Sequence, residues 1–324
     1  MKSISVVIPN YNGRELLARN LPTVYKALAT SGVTDFEILI PDDASKDTSV
    51  EFLQENYPDI VVIENSVNKG FGGNSNSGIM RSSKELVLML NSDVELTDGY
   101  FLPLMKYFDK QDTFGVMSRI IGLDNDRVQD GAKFPDYSFG RIGSTLNYRS
   151  ETQSTLYTLF LSGANALMDR HKLIELGGFD EIFNPYYAED VDLGLRAWKV
   201  GYKCYYDDTA VCRHPVSVTI KKEMPQKVLT ISKRNKMYVH YIHLEMVERM
   251  AFVGVLTIKT FLRLLMGNKI YVTAYYAFIR TIPKANLSRK QLRTLQQSHQ
   301  YSRTMREIKK QILESIGTSP ITKF

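Results

Sequence analysis

Between Ser3 and Leu96 four short apolar runs alternate with three stretches of helix-forming or turn-rich sequence. The runs are SISVVIP (Ser3–Pro9), FEILIP (Phe36–Pro41), Ile60–Glu64 and LVLMLNSDVEL (Leu86–Leu96). Arg14–Thr30 has leucines and alanines at helical spacing, and Thr48–Asn56 reads as a helix capped by Ser45 or Asp47. The glycine- and asparagine-rich stretch Asn65–Gly78 is expected to open a helix running through Ile79–Ser83. A β-α-β-α-β-α-β order implies a parallel sheet with helices on both faces. The fold class is therefore α/β, built on a mostly parallel central sheet flanked by helices.

Polar clusters follow three of these strands. Pro9-Asn10-Tyr11-Asn12-Gly13 follows the first, and Asp42-Asp43-Ala44-Ser45-Lys46-Asp47 follows the second. Asn91, Ser92, Asp93 and Glu95 end the fourth. A parallel sheet gathers these points on one edge, where open α/β sheets bind ligands. Tyr11 could stack on a flat base, and Asp42 or Asp43 could accept the imide N–H of a uracil or thymine. The same residues also fit an ordinary Asp-rich turn. Asp93 is placed to hold a metal or a charged ligand, or to cap the next turn. The glycines at 70–78 lack the G-x-G-x-x-G spacing directly after the first strand, which argues against a dinucleotide-binding dehydrogenase.

Tyr100–Phe108 reads as a helix and Thr113–Gly122 as a strand. Asp124–Ser154 is polar, aromatic and weakly periodic, as expected of a long excursion that carries acceptor contacts. Strand-like sequence returns at Thr155–Met168, where the small residues Ser162-Gly163-Ala164 allow a close approach to the backbone. Asp169–Leu176 should form a short helix ended by Gly177-Gly178. In Phe179–Gly201 the positions of Val191, Leu195, Ala197, Trp198 and Val200 predict a helix with one buried face, closed by Gly201. Glu189 and Asp190 then fall at its N-terminus, where a carboxylate is stabilised as an anion, either as a cap or as a general base. Asp192 and Arg196 are spaced to pair. Lys203–Arg213 reads as a strand leading to His214-Pro215, a metal ligand or a surface residue.

The 324 residues suffice for one large α/β domain and an appendage. The formal net charge of +6 comes from the last part of the chain, which is rich in Lys and Arg. Such a tail suits a phosphate-rich partner: a nucleic acid, a lipid surface or a lipid-phosphate substrate. Met250–Met266 is apolar but interrupted by Lys259 and Arg263, and Tyr271–Ile282 is aromatic. Neither reaches the ~20 uncharged residues of a membrane span. Two amphipathic helices at a membrane interface, or a helical hairpin packed on the main domain, both fit. Basic residues from Lys284 to Lys310 favour anionic lipid. The two cysteines, Cys204 and Cys212, are too few for a disulfide framework or a zinc site, which suits a reduced, cytosolic setting. The N-terminal apolar run is too short for a signal peptide.

The set VVIPNYNG, PDDASKD, NKGFGGNSNSG, LNSDVEL, LSGANALMDR, GGFDEIF, YYAEDVDLGLRAWKVGY and RHP resembles glycosyltransferase family 2. It looks most like the branch with bacterial rhamnosyltransferases of surface-polysaccharide assembly, over roughly residues 3–240. The resemblance implies a GT-A fold for residues 1–240, with 241–324 as a basic helical extension. It also implies a nucleoside-diphosphate sugar donor (dTDP-rhamnose or a UDP-sugar), a divalent metal (Mn²⁺ or Mg²⁺), and inversion at the anomeric carbon. The acceptor would be a saccharide or lipid-linked saccharide, with an anionic membrane surface and no nucleic acid as partner. The protein would then sit in the cytoplasm or peripherally on the cytoplasmic face of the inner membrane.

By the resemblance, Pro9, Tyr11, Asp42 and Asp43 match base-binding positions, and Asn68, Gly70 and Asn74 match the loop and helix beside the donor. Asn91, Ser92 and Asp93 match the metal-binding Asp-x-Asp. Asp190 matches the catalytic base, with Glu189 beside it, and His214 matches a position that in some relatives helps hold the metal. Asn91 departs from the family's first acid, which leaves Asp93 as the principal acidic ligand and gives His214 more weight. A nucleotidyltransferase on the same fold would need a basic glycine-rich loop near the N-terminus, and here only Arg14 lies just beyond Gly13. A non-catalytic membrane-associated binding module would be favoured by loss of Asp93 or Asp190, yet both are present.

Overall fold

The computed structural model describes residues 1–143, 146–215 and 225–324. Its first half follows the alternation in the sequence: β1 (Ile4–Val7), α1 (Arg14–Thr30), β2 (Phe36–Asp42), α2 (Ser49–Asn56), β3 (Val61–Glu64), α3 (Gly70–Ile79) and β4 (Leu86–Leu90). Then come β5 (Glu95–Leu96), α4 (Leu102–Met105) with a 3-10 turn over Lys106–Asp109, and β6 (Thr113–Gly122). Short strands follow: β7 (Val128–Asp130), β8 (Ala132–Lys133), β9 (Tyr137–Ser138), β10 (Arg141–Ile142), β11 (Asn147–Ser150) and β12 (Thr155–Tyr157). Next are β13 (Asn165–Asp169), α5 (Arg170–Glu175), α6 (Glu189–Lys199) and β14 (Lys203–His214). The chain ends with α7 (Pro225–His243), α8 (Met246–Leu265), α9 (Lys269–Arg280), α10 (Ile282–Ser298), α11 (Met305–Ile316) and β15 (Ile321–Lys323).

The main sheet runs β12-β14-β6-β13-β4-β1-β2-β3, with β5 added on β14 and β7 on β6. β4, β1, β2 and β3 are mutually parallel, and β6 and β14 are parallel to each other. β13 lies antiparallel between β4 and β6. The C-terminal ends of β1, β2, β4, β6 and β14 therefore share one edge with the N-terminal end of β13.

Burial follows position in this sheet. Every residue of β4, LVLML, is buried, because it has neighbours on both sides and helices above and below, whereas edge strand β3 is partly exposed. Leu17, Leu21, Val24 and Leu28 form the buried stripe of α1, each contributing about 1.5–3 kcal/mol of burial.

Three expectations about local elements are corrected. The helix after β3 lies on the glycine- and asparagine-rich stretch itself and ends at Ile79 instead of continuing through Ser83. Close approach explains it: a Cβ on Gly78 would meet Val7 Cγ1 at 2.5 Å and Pro41 Cγ at 3.2 Å. Tertiary packing thus overrides a glycine penalty of about 1 kcal/mol per residue. The 124–154 excursion is threaded by β7 to β11 and is no open loop, and the Tyr100–Phe108 helix is one α-turn followed by a 3-10 turn. The boundary expected at residue 240 falls inside α7. The last strand, β15, pairs with β11, so the C-terminal segment returns to the body of the protein.

Candidate active site

The loops after β1 and β2 are tied to each other before any ligand is considered. Asn10 Nδ2 donates to Asp42 Oδ2 at 2.8 Å, and Asp42 also accepts from the Ser45 N–H (2.8 Å) and hydroxyl (2.6 Å). The Asn12 N–H donates to Ser45 Oγ (2.8 Å), and the Lys46 N–H donates back to Asn12 Oδ1 (2.7 Å). Asn12 (φ 52°) and Ala44 (φ 60°) adopt the left-handed backbone these turns need. Pro9 is half-buried, while Tyr11 is 52% exposed at the tip of its loop.

Asp43 accepts from the N–H groups of Lys69 (2.7 Å) and Gly70 (3.0 Å), clamping the start of α3. Burial nevertheless raises its pKa, against those two donors. Asn68 accepts from the Gly70 N–H at 3.1 Å. Gly70 needs its φ of +74°, and its Cβ would meet the Pro185 backbone at 2.7 Å. Asn74 points inward: its amide donates to the carbonyls of Asn10 (3.2 Å) and Pro41 (3.0 Å), and its oxygen accepts from Asn65 Nδ2 (2.8 Å). It fixes the ends of β1 and β2 and does not face the cleft.

A second cluster sits at the ends of β4 and β14. His214 Nε2 lies 3.3 Å from Asp93 Oδ1, with Asp93 only 9% exposed. Asn20 Nδ2 donates to the Ser92 carbonyl (2.7 Å), and a Cβ on Gly13 would fall 2.4 Å from Asn10 Oδ1 and 3.6 Å from Ser92 Oγ. The first and second clusters therefore meet around Gly13. Asp93 and His214 offer one carboxylate and one imidazole, a donor set suited to a hard or borderline divalent cation that takes its remaining ligands from phosphate and water. Among the described residues no third His, Cys, Asp or Glu completes a cage.

The third cluster is the start of α6. Tyr187 (φ 76°) and Ala188 (φ 72°) are consecutive left-handed residues, a strained entry that delivers Glu189 and Asp190 at the helix N-terminus. Glu189 is 8% exposed, and its Oε2 lacks a hydrogen-bond partner among the described residues. Burial, then the adjacent Asp190 charge, pushes its pKa well up. Burial also raises Asp190, with Lys133 pulling the other way. Asp190 accepts from the Val191 N–H at 2.8 Å and shares a narrow crevice with Leu161, Ser162 and Gly163. The next residue of that segment, Ala164, accepts from the Asn91 N–H at 3.0 Å, so residues 161–164 bridge the Asp190 and Asp93 clusters.

The Asp192–Arg196 pair forms at 2.7 Å but is buried, with His243 Nε2 at 2.8 Å from the other carboxylate oxygen. Burial opposes ionisation of Asp192, yet Arg196 and His243 together hold its pKa low. Arg196 also donates to the carbonyls of Leu176 (2.5 Å) and Gly178 (2.8 Å), which ties α6 to the turn after α5.

Several positioning residues were not legible in the sequence. Asn235 of α7, fully buried, donates to the carbonyls of Phe183 (2.6 Å), Tyr186 (2.9 Å) and Tyr187 (2.8 Å). Arg234 reaches the Asn184 carbonyl at 2.6 Å. Together they hold the loop that aims Glu189 and Asp190. Lys133 pairs with Asp130 and donates to Asn147 Oδ1 at 3.0 Å. A single Asn inside a basic helix has no periodic or motif signal that could have announced it.

The model of glycosyl transferase family 2 matches residues 5–177. The chain belongs to this family. The GalNAc(5)-diNAcBac-PP-undecaprenol β-1,3-glucosyltransferase of Campylobacter jejuni is 30% identical over 110 residues, 33% of this chain. That match spans only 34% of the relative's own length. The O-antigen chain rhamnosyltransferase RfbN of Salmonella typhimurium is 25% identical over 224 residues, 68% of either chain. A crystal structure of GalNAc-T7 with UDP, GalNAc and Mn²⁺ superposes with a TM-score of 0.68 at 14% identity, covering 98% of this family member and 57% of that chain. The shared architecture is the GT-A fold.

Proposed function

We propose that this family member moves a sugar from a nucleoside-diphosphate donor to a hydroxyl of a saccharide acceptor, with inversion, in surface-polysaccharide synthesis. The observation that carries this reading is the meeting of three clusters on one sheet edge. Asp42, Asp43 and Tyr11 offer a base site, Asp93 and His214 a pair of metal donors, and Glu189 and Asp190 a pair of carboxylates. Asp190 would take the proton from the acceptor oxygen as it attacks the anomeric carbon, and Glu189 would contact the acceptor beside it. A carboxylate with a raised pKa is a stronger base toward a hydroxyl near neutral pH. Asp93 and His214 would hold Mn²⁺ or Mg²⁺, which when bound supplies positive charge against the diphosphate leaving group. Asn91 and Ser92 would line that side of the diphosphate. A single displacement needs no covalent intermediate, so no separate nucleophile enters the scheme.

The named activity of RfbN supports dTDP-rhamnose as a donor to try first, with UDP-sugars next. The named activity of the Campylobacter relative supports a lipid-linked acceptor, and with it a place at the cytoplasmic face of the inner membrane. The test is a thermal-shift panel of UDP-, GDP- and dTDP-sugars with Mn²⁺ or Mg²⁺. A bound donor stabilises the folded state by RT ln(1 + [L]/Kd), about 2.7 kcal/mol at a hundredfold excess over Kd. A metal-dependent shift with one base and hydrolysis of that donor is the expected outcome; no shift with any nucleotide sugar would sink the reading.

A further inference from the structure

No helix among the described residues is long and apolar enough to cross a membrane, yet α8 presents a full apolar face to solvent. Along its length Val247, Met250, Ile258, Phe261 and Leu265 are each at least 60% exposed. Successive steps of three, four or eight residues put them on one side of the helix. Leu256 and Thr260, on the opposite side, are buried against the rest of the protein. At the C-terminal end the exposure spreads round the helix: Phe261 to Gly267 are all exposed, including Leu262, Leu264 and Met266. The turn into α9 is thus an apolar tip standing clear of the body. A solvated helix with apolar residues all round is not a stable soluble arrangement.

The charge around this face selects its occupant. From Met246 to Ser298 the sequence has one acid, Glu248, against nine Lys and Arg. Lys259 and Arg263 are exposed on the side of α8 away from the apolar stripe, and Lys269 follows the tip. Glu248 is hydrogen-bonded to the Tyr137 hydroxyl and does not offset these cations. A protein partner for such a face would not require cations and almost no acids around it; an anionic bilayer surface does.

We propose that the exposed face of α8 and the α8–α9 tip insert into the interface of an anionic lipid bilayer, with Lys259, Arg263 and Lys269 at headgroup level. A helix lying in the interface buries its apolar face while cations on its other side meet lipid phosphates. The chemistry of sugar transfer is not needed for this inference, and vesicle binding can fail while donor binding holds.

The test uses the full chain and sedimentation with vesicles of phosphatidylcholine containing 30% phosphatidylglycerol or none. Wild type should partition onto the anionic vesicles. The double variant Ile258→Asp, Phe261→Asp should lose about tenfold or more of that partitioning. Leu102→Asp, an exposed apolar site elsewhere (53% exposed), should lose none. Melting temperature and nucleotide-sugar binding report that the variants fold. Because the one native tryptophan, Trp198, is buried, Phe261→Trp adds a reporter whose emission should shift to the blue only with anionic vesicles. Binding that is equal for wild type and double variant would overturn the proposal. So would a wild-type dimer, broken by the same double variant, that ignores vesicles; the face would then belong to a second copy of this chain.

Discussion

Asp42 and Asp43 sit among donors, whereas Glu189 and Asp190 sit among few. Five hydrogen bonds from Asn10, Ser45, Lys69 and Gly70 reach the first pair. At the start of α6, Glu189 Oε2 has no partner among the described residues, and both pKa values are pushed up by burial. The loops proposed to bind the donor are thus held by their own bonding. The acids proposed to face the acceptor are held from outside, by a strained turn and by Asn235, in a setting that disfavours their charge. A site that binds wants the first arrangement. A site that must accept a proton wants the second, because discomfort of the anion is basicity.

The largest expected effect breaks this comparison at its catalytic end. Asp190→Asn should lower transfer by about 10²–10⁴-fold, the usual contribution of a general base, with nucleotide-sugar binding nearly unchanged. It should not lower the melting temperature, since an uncharged amide avoids the buried charge. Initial rates and donor titrations on the same preparation decide it; transfer within a few-fold of wild type would remove Asp190 from its role.

The second break is at the donor edge, and its sign is reversed. Asn74→Ala strips partners from the Asn10 and Pro41 carbonyls and from the Asn65 amide, all buried. The two carbonyls keep the backbone N–H groups of Asp43 and Asn10, so the cost is that of three lost hydrogen bonds at about 1 kcal/mol each, roughly 3 kcal/mol by chemical denaturation. Donor affinity should fall with it, because β1 and β2 lose their common clamp. A variant with wild-type stability would show that the donor edge is not self-supporting.

What the sequence made legible follows the same division. The strands, α1 and the donor loops could be read because apolar runs, turn residues and adjacent carboxylates lie next to each other in the chain. The helical state of 70–79 could not, because only Val7 and Pro41, far away in sequence, require glycine at 78. Asp192–Arg196 could be read as a pair from its spacing, but not as buried, since His243 joins it from 51 residues away. Asn235 and Lys133 were invisible for the same reason. Local patterns specify elements; the residues that aim one element at another are specified by the fold.

The third prediction tests whether the acceptor-side acids are aimed from outside. Asn235→Ala removes the side-chain hydrogen bonds to three carbonyls of the 183–187 loop. Because Asn235 touches neither donor nor metal donors, transfer should fall by about tenfold, mainly in kcat, with donor KM little changed, as expected when a reacting group is misplaced. Asn235→Asp, which keeps the shape but cannot donate to those carbonyls, should not rescue it. Equal losses in kcat and donor affinity would mean instead that the whole edge has loosened.

The smallest effect is on the pH dependence of stability. Glu189 has a folded-state pKa raised above its ordinary value, by burial first and by Asp190 second. The folded state therefore holds this proton more tightly than the unfolded chain does. Its contribution to stability is fully present below the unfolded pKa and is lost as pH rises through the folded value. Wild type should melt lower at mildly alkaline than at mildly acidic pH, and Glu189→Gln should flatten that slope by about 1 kcal/mol across the range. Burial raises Asp190, and Glu189 keeps its proton while Asp190 ionises, so the exchange should leave the acid limb of the transfer profile in place. A slope that survives the substitution would place the alkaline loss elsewhere.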